Sequence, residues 1–373
     1  MKIGIVCYPT FGGSGVVATE LGLQLSKSKY EVHFITYKQP VRLEIINSSL
    51  FFHEVNVPDY PLFHYQPYEL ALSSKLVDTV KKYNIELLHV HYAIPHAYAA
   101  YMTKQILQSE NINIPIVTTL HGTDITLVGK HPFYKPAVRF SINNSDFVTS
   151  VSKDLKNETK KLFNINKEIK VIPNFVDFSK YLDYKQDFDR EFIAGRDEKI
   201  ISHVSNFRKV KRTLDVIDIF YKIQKEVKSK LIMVGDGPDR LKCMKRCKEI
   251  GIIEKVKFLG NSNQVYDILS YSDLFLLPSE IESFGLSALE AMMLKVPIIS
   301  TNVGGLPEVN MEGVSGFLFN LGDIQKMSLK AIQILKDDIL LKKMKEGAYN
   351  TAKKYDIKKI IPQYEEVYKL FSK

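Results

Sequence analysis

Two carboxylates stand eight residues apart in the stretch ESFGLSALE, Glu282 to Glu290, with Ser283, Phe284, Gly285 and Leu286 following the first. Upstream, FLLPS (275–279) is a short apolar run closed by Pro278, the pattern of a buried parallel strand ending in a loop. Residues 286–294 are helix-forming, which puts Glu282 just before a helix and Glu290 more than a turn inside it. A helix start at the carboxyl end of a parallel strand offers free N–H groups and a positive dipole end to a phosphate. On that reading the helix holds the diphosphate of a nucleotide, and the two glutamates grip hydroxyls on either side of it. The same spacing also fits one acid that favours the dipole and a second that is simply solvated.

Four further stretches carry residues that could do chemistry. The loop PTFGGSG (9–15), between an apolar run and a helical pattern, has Gly12, Gly13 and Gly15 where backbone could approach a phosphate or a sugar. It matches neither the dinucleotide fingerprint nor the P-loop, and a ligand-free turn fits it as well. HVHYAIPH (89–96) holds His89, His91 and His96. No Asp or Cys nearby completes a metal set, so the expectation is no metal there, with Tyr92 and His96 as candidate lining. HGTD (121–124) follows the apolar run 116–120. His121 at such a strand end can reach a ligand, or can be a packed loop histidine. The cluster Arg208, Lys209, Lys211 and Arg212 suits anionic small molecules, an acidic membrane surface or nucleic acid, or is a solvated basic face.

Positioning these residues requires elements that alternate along the whole chain. Short apolar runs at 3–7, 31–36, 87–90, 116–120 and 147–150, and again at 200–204, 231–234, 256–259, 275–277 and 297–300, are separated by helical patterns. That is a βα alternation and predicts parallel sheets covered by helices. With 373 residues, two domains are expected; VIPNFVD (171–177) marks the crossing, and the polar stretch 179–199 an irregular connection. Of 373 residues 45% are hydrophobic and 25% charged, with a net charge of +9, an ordinary globular balance. The three cysteines, Cys7, Cys243 and Cys247, form neither a disulfide framework nor a zinc pattern, and a reducing compartment fits. The opening apolar run is too short for a signal core and no stretch reaches 18 apolar residues, so a cytoplasmic protein without membrane insertion is expected. No nucleic-acid motif is present.

Taken in order, HGTD, PNFVD, SNFRKVK, VGDGP, ESFGLSALE and NVGGLPE resemble a retaining glycosyltransferase of family 4 with the GT-B fold. That resemblance implies an α/β protein of two Rossmann-like domains facing a cleft: residues 1–170 plus 356–373 for the acceptor, 171–355 for the nucleotide sugar. CYPTFGGSGVVATELG, HFITY, LHVHYAIPHA, VTTLHGTDIT and HVSNFRKVKR are similar to the branch that opens bacillithiol biosynthesis. Members of that branch move N-acetylglucosamine from UDP-N-acetylglucosamine to the hydroxyl of L-malate.

The resemblance assigns roles as follows. Glu290 would bind the ribose, Glu282 the donor sugar, and the N–H groups around Ser283, Phe284, Gly285 and Leu286 the diphosphate. Lys211 would neutralise the leaving UDP and His121 would sit beside the reacting sugar. Gly13 would join the donor site. Asn206 stands where the family usually has an arginine, which leaves Arg208 as the candidate replacement. The acceptor candidates are Ser14, Tyr92, Thr119 and Arg139, because a small dianion needs a cation and several donors. No cofactor or metal is implied beyond the co-substrate, since family members typically stabilise the leaving group with cations and helix N–H groups. A membrane-lipid transferase and a non-catalytic sugar-nucleotide binder are the rival readings; a homo-oligomer stays open.

Overall fold

The computed structural model describes residues 1–10, 12–43, 48–59, 61, 64–182, 190–262 and 264–372. Phe11 of the glycine loop and residues 183–189 of the connecting stretch lie outside them. The chain divides into two compact units: Met1–Asn174 with Lys358–Lys373, and Phe175–Ile357.

The first unit is built on seven strands: β1 (Lys2–Val6), β2 (Glu31–Thr36), β3 (Leu50–Glu54), β4 (Leu87–His91), β5 (Ile116–Leu120), β6 (Phe147–Ser150) and β7 (Lys170–Val171). Their order is β3-β2-β1-β4-β5-β6-β7, and every pairing is parallel. The second unit holds β8 (Lys199–Val204), β9 (Ser229–Val234), β10 (Val256–Gly260), β11 (Leu274–Leu277), β12 (Ile298–Thr301) and β13 (Gly316–Phe319), ordered β10-β9-β8-β11-β12-β13 and again wholly parallel. Each is a Rossmann-like α/β unit, as the βα alternation predicts.

Helices cover both faces of the central strands: β4, β5, β11 and β12 are buried at every residue, their histidines, threonines and serine included. Helices meet the sheets through apolar faces, and a single backbone choice sets one such contact. A Cβ at Gly22, in the helix Gly13–Ser26, would sit 2.4 Å from the Phe34 ring on β2. The helix Ile357–Lys369 returns to the first unit, where Tyr364 and Tyr368 are fully buried. The Tyr368 hydroxyl lies 2.7 Å from His89 Nδ1 on β4. Among the described residues no helix is long and apolar enough to cross a membrane.

The strand order reverses between β1 and β4 in one unit and between β8 and β11 in the other. At such reversals the connections leave the sheet in opposite directions and open a crevice at the strands' carboxyl ends. PTFGGSG and HVHYAIPH flank the first reversal; SNFRKVK and ESFGLSALE flank the second.

Candidate active site

In the second unit, β8 runs into Ser205, Asn206 and Phe207, then a 3₁₀ turn, Lys209–Lys211. Phe207 is fully buried and anchors this basic turn, its side chain worth about 2–3 kcal/mol of apolar burial. The loop after β9 closes over it. A Cβ at Gly237 would stand 2.0 Å from the Asn206 carbonyl, and the Asp239 N–H donates to the Phe207 carbonyl at 3.0 Å. From the other side the Glu280 N–H donates to the Val210 carbonyl at 2.7 Å. The turn is thereby tied to the loop after β11.

This brings Lys211 Nζ to 2.5 Å from Glu282 Oε2, with the side chains only 20% and 13% exposed. The Ser279 hydroxyl approaches the same oxygen at 3.4 Å. Glu282 is held from behind by the loop NVGGLPE. The Gly305 N–H donates to the Glu282 carbonyl at 2.9 Å, and a Cβ at Gly304, which has φ +57°, would fall 2.0 Å from that carbonyl. Gly285, at φ +97°, turns the chain into the helix Leu286–Met293, whose start has no side-chain cap. The first N–H groups of such a helix have no intrahelical acceptor. Phe284 is buried against Tyr355, with ring centroids 5.5 Å apart. Glu290 is 7% exposed, which excludes the freely solvated glutamate that the spacing alone also allowed. Arg208 and Asn206 are exposed; neither side chain is hydrogen-bonded or ion-paired among the described residues.

In the first unit, the helix Gly13–Ser26 starts after the glycine loop with Gly13 exposed in its first turn. The Ser14 and Tyr92 hydroxyls lie 2.5 Å apart, joining the loop after β1 to the residue after β4. Tyr92 has φ +91°, a strained value for a bulky residue, and is held there by two bonds. Its N–H donates to the Thr119 carbonyl at 2.9 Å, and the next N–H, of Ala93, donates to Asp124 Oδ2 at 2.8 Å. The other oxygen of Asp124 accepts from the Gly122 and His121 N–H groups at 3.0 and 3.3 Å. Asp124 therefore staples the turn after β4 to the turn after β5. Burial pushes its carboxyl up to about 6, against the pull of those N–H groups.

His121 rests between two aromatic neighbours. Its ring centroid is 5.3 Å from that of Tyr92, and its Nε2 is 2.8 Å from His91 Nδ1. His89 and His91 share one face of β4, rings stacked at 4.6 Å. His89 bonds to Tyr368 and, through Nε2, to the Thr119 hydroxyl at 2.7 Å. His96 bonds to the His91 carbonyl. Burial lowers the pKa of all four: to about 3 for His89 and His121, to about 4 for His96, and well down for His91.

Of the residues singled out by sequence, the second unit assembles Lys211, Glu282, Ser283, Phe284, Gly285, Leu286 and Glu290 around one loop and helix start. The first unit joins Ser14, Tyr92 and His121. Thr119, the acceptor candidate on β5, lies inside the sheet. It is fully buried, and its hydroxyl is committed to His89 and to Thr149 at 2.7 Å; the period-2 pattern of a fully buried strand does not tell its two covered faces apart. Arg139 is exposed on the helix Lys135–Asn144 and has no hydrogen bond or ion pair among the described residues. From sequence, Asp124 was given no role and His91 was weighed only as a metal ligand. Their signals were the Asp three residues after His121 and the two-residue spacing of HVH.

An uncapped helix start, a lysine and two carboxylates at the strand reversal of a Rossmann-like unit are groups that suit a phosphorylated, hydroxyl-rich ligand. Residues 11–180 match the family described as Glycosyltransferase Family 4, and residues 185–351 match Glycosyl transferases group 1. N-acetyl-alpha-D-glucosaminyl L-malate synthase of Bacillus anthracis is 47% identical over 99% of this chain and 96% of its own. An uncharacterized glycosyltransferase of Methanocaldococcus jannaschii is 24% identical over 98% of this chain and 97% of its own. The solved structure of Anabaena HepE in complex with UDP-glucose superposes with a TM-score of 0.82 at 19% identity, covering 99% of both chains. The chain belongs to the family 4 glycosyltransferases, enzymes of the GT-B class.

Proposed function

We propose that the protein transfers N-acetylglucosamine from UDP-N-acetylglucosamine to the hydroxyl of L-malate, with retention at the anomeric carbon, as the first step of bacillithiol biosynthesis in the cytoplasm. The observation that carries this reading is the 47% identity, end to end, with the Bacillus anthracis N-acetyl-alpha-D-glucosaminyl L-malate synthase.

The site supports it chemically. The bond from the sugar C1 to the β-phosphate oxygen breaks while one from C1 to the malate hydroxyl oxygen forms on the same face. The malate proton passes to the departing phosphate, so no side-chain nucleophile is needed. Charge that builds on UDP is met by Lys211 and by the N–H groups at the start of the helix Leu286–Met293; no metal enters this scheme. Glu282 takes sugar hydroxyls, Glu290 the ribose, and Lys211 leaves its partner Glu282 when the diphosphate arrives. Arg208, exposed and unpaired among the described residues, stands in for the arginine absent at Asn206. Ser14, Tyr92 and Arg139 serve the acceptor. His121 offers a ring nitrogen to a reactant oxygen.

Incubation with UDP-N-acetylglucosamine and L-malate, with UDP release followed, tests the reading; no release with malate sinks it. A second reading, transfer to a membrane lipid, draws on the exposed aromatics Phe133 (78% exposed), Tyr134 and Phe140 beside Lys135 and Arg139, a composition suited to an acidic bilayer surface. Release with lipid vesicles and not with malate would favour it. Donor binding without release to any acceptor would favour a sugar-nucleotide binder.

A further inference from the structure

Among the rings of His89, His91, His96 and His121, two nitrogens are buried without a partner, His91 Nε2 and His96 Nε2. Those two orphans fix where the protons are. His96 Nδ1 faces the His91 carbonyl at 2.5 Å. A carbonyl only accepts, so Nδ1 carries the hydrogen and, in the neutral ring, Nε2 is left as a bare lone pair.

The His91–His121 pair has two arrangements. In one, His91 Nδ1–H donates to His121 Nε2, and the orphaned His91 Nε2 is a lone pair. In the other, His121 Nε2–H donates to His91 Nδ1. Neutral His91 must then carry its hydrogen on Nε2, where it is buried with no acceptor. Buried N–H groups without acceptors are rarer than buried acceptors without donors. The first arrangement is therefore favoured, and it repeats the choice made by His96. With Nε2 occupied as an acceptor, neutral His121 carries its hydrogen on Nδ1. That atom makes no hydrogen bond with any described residue.

We propose that His91 is a positioning residue that holds His121 as its Nδ1–H tautomer, so that His121 meets its ligand as a hydrogen-bond donor to an oxygen and not as a proton-taking base. This rests on the reading that His121 touches a reactant. The ligand atom must be an acceptor: a sugar or carboxylate oxygen, or a phosphate oxygen. The titratable groups facing the pair are His89 on β4, Tyr92 and His96 in the turn after it, Asp124 after β5, and Tyr364 and Tyr368 behind His89. Only Asp124 is an acid, and both of its oxygens are taken by backbone N–H groups. No carboxylate is therefore free to hold a proton on either ring, in keeping with burial that lowers both pKa values.

The test needs no variant at its core. In the nitrogen-15 imidazole spectrum of the full-length protein, with His121 assigned by the signals lost in His121→Ala, His121 Nδ1 is expected to be protonated and Nε2 bare at neutral pH. His91→Asp replaces the donor by an acceptor. It should move the proton to His121 Nε2, lower kcat about 10²-fold, the cost of one lost transition-state donor, and add an acid limb to kcat/KM. His91→Asn, whose amide can donate from the Nδ1 position, should recover turnover lost in His91→Leu. A wild-type His121 protonated on Nε2, or His91→Asn no better than His91→Leu in folded protein, overturns the proposal. Wild-type turnover in His121→Ala overturns the reading beneath it, whichever tautomer the spectrum shows.

Discussion

The Lys211–Glu282 pair yields a prediction in which stability and turnover part company. At 2.5 Å, and with exposures of 20% and 13%, the pair lies between a surface ion pair worth up to about 1 kcal/mol and a buried one whose half-removal costs about 3–5 kcal/mol. Lys211→Ala leaves the Glu282 carboxylate with one long contact from Ser279. About 2 kcal/mol of destabilisation is expected, and for a unit spanning residues 175–357 that lowers Tm by roughly 4–8 °C. Glu282→Gln alone should cost less, near 1 kcal/mol, because a freed lysine can swing its head to solvent. The double variant removes both charges and should regain most of the lost Tm. Turnover should follow the opposite rule. Losing one charge-stabilising group lowers kcat by about 10²–10³-fold, and the double variant restores none of it. Scanning calorimetry and UDP release at saturating donor read the two quantities. A double variant that melts as low as Lys211→Ala would refute the pairing argument. Wild-type kcat in Lys211→Ala would remove the lysine from the chemistry.

Gly304→Ala should raise the donor KM and lower Tm by several degrees, because its Cβ would meet the Glu282 carbonyl at 2.0 Å in a left-handed conformation; an unchanged KM measured at fixed malate would show that the loop does not position Glu282. Arg139→Ala should raise the malate KM about tenfold or more while leaving Tm unchanged, since the side chain is exposed and a lost charged contact is worth about 1.5–3 kcal/mol; a malate KM that does not rise rules Arg139 out of the acceptor site. The buried histidines set a pH dependence. Their folded pKa values lie below the unfolded value near 6.5, at about 3 for His89 and His121 and about 4 for His96, so the unfolded chain binds more protons as pH falls. Stability is full above pH 6.5 and is lost on acidification, at roughly 1.4 kcal/mol per histidine per pH unit. Urea unfolding at pH 5.5 and 7.5 should therefore show the first unit weakening more than the second, and equal losses would contradict the assignment.

The elements legible in the sequence were the interior strands, the edge strand β10 and the loops that follow them. The runs at 31–36, 116–120 and 147–150 coincide with β2, β5 and β6, because β-branched and aromatic residues gather there between helical patterns. The strands that escaped reading, β3, β7 and β13, all stand at sheet edges. Each is partly exposed along most of its length; β7 has only two residues, and the short apolar runs of β3 (LFFHE) and β13 (GFLF) were not read as strands. The site divided along similar lines. Glu282, Glu290 and Lys211 were visible because their chemistry and spacing survive in one dimension. What holds them was not. The Gly304 approach to Glu282, the Asp124 staple and the His91–His121 contact depend on loops from different strands meeting in space. The burial of Thr119 escaped for a related reason: its neighbours on β4 and β6, His89 and Thr149, decide where its hydroxyl bonds.

The return of residues 358–373 to the first unit bears on the order in which the protein is made. The second unit is one unbroken segment, 175–357, and has its whole sequence when its last residue leaves the ribosome. The first unit does not. His89 waits for Tyr368, encoded almost 200 residues after the rest of its sheet. At about 5–20 residues per second the interval is roughly 10–40 s. Throughout it the apolar surface that Tyr364 and Tyr368 will cover faces water or a chaperone. The histidine chain behind His121 thus depends on residues that are translated only after the whole of the second unit.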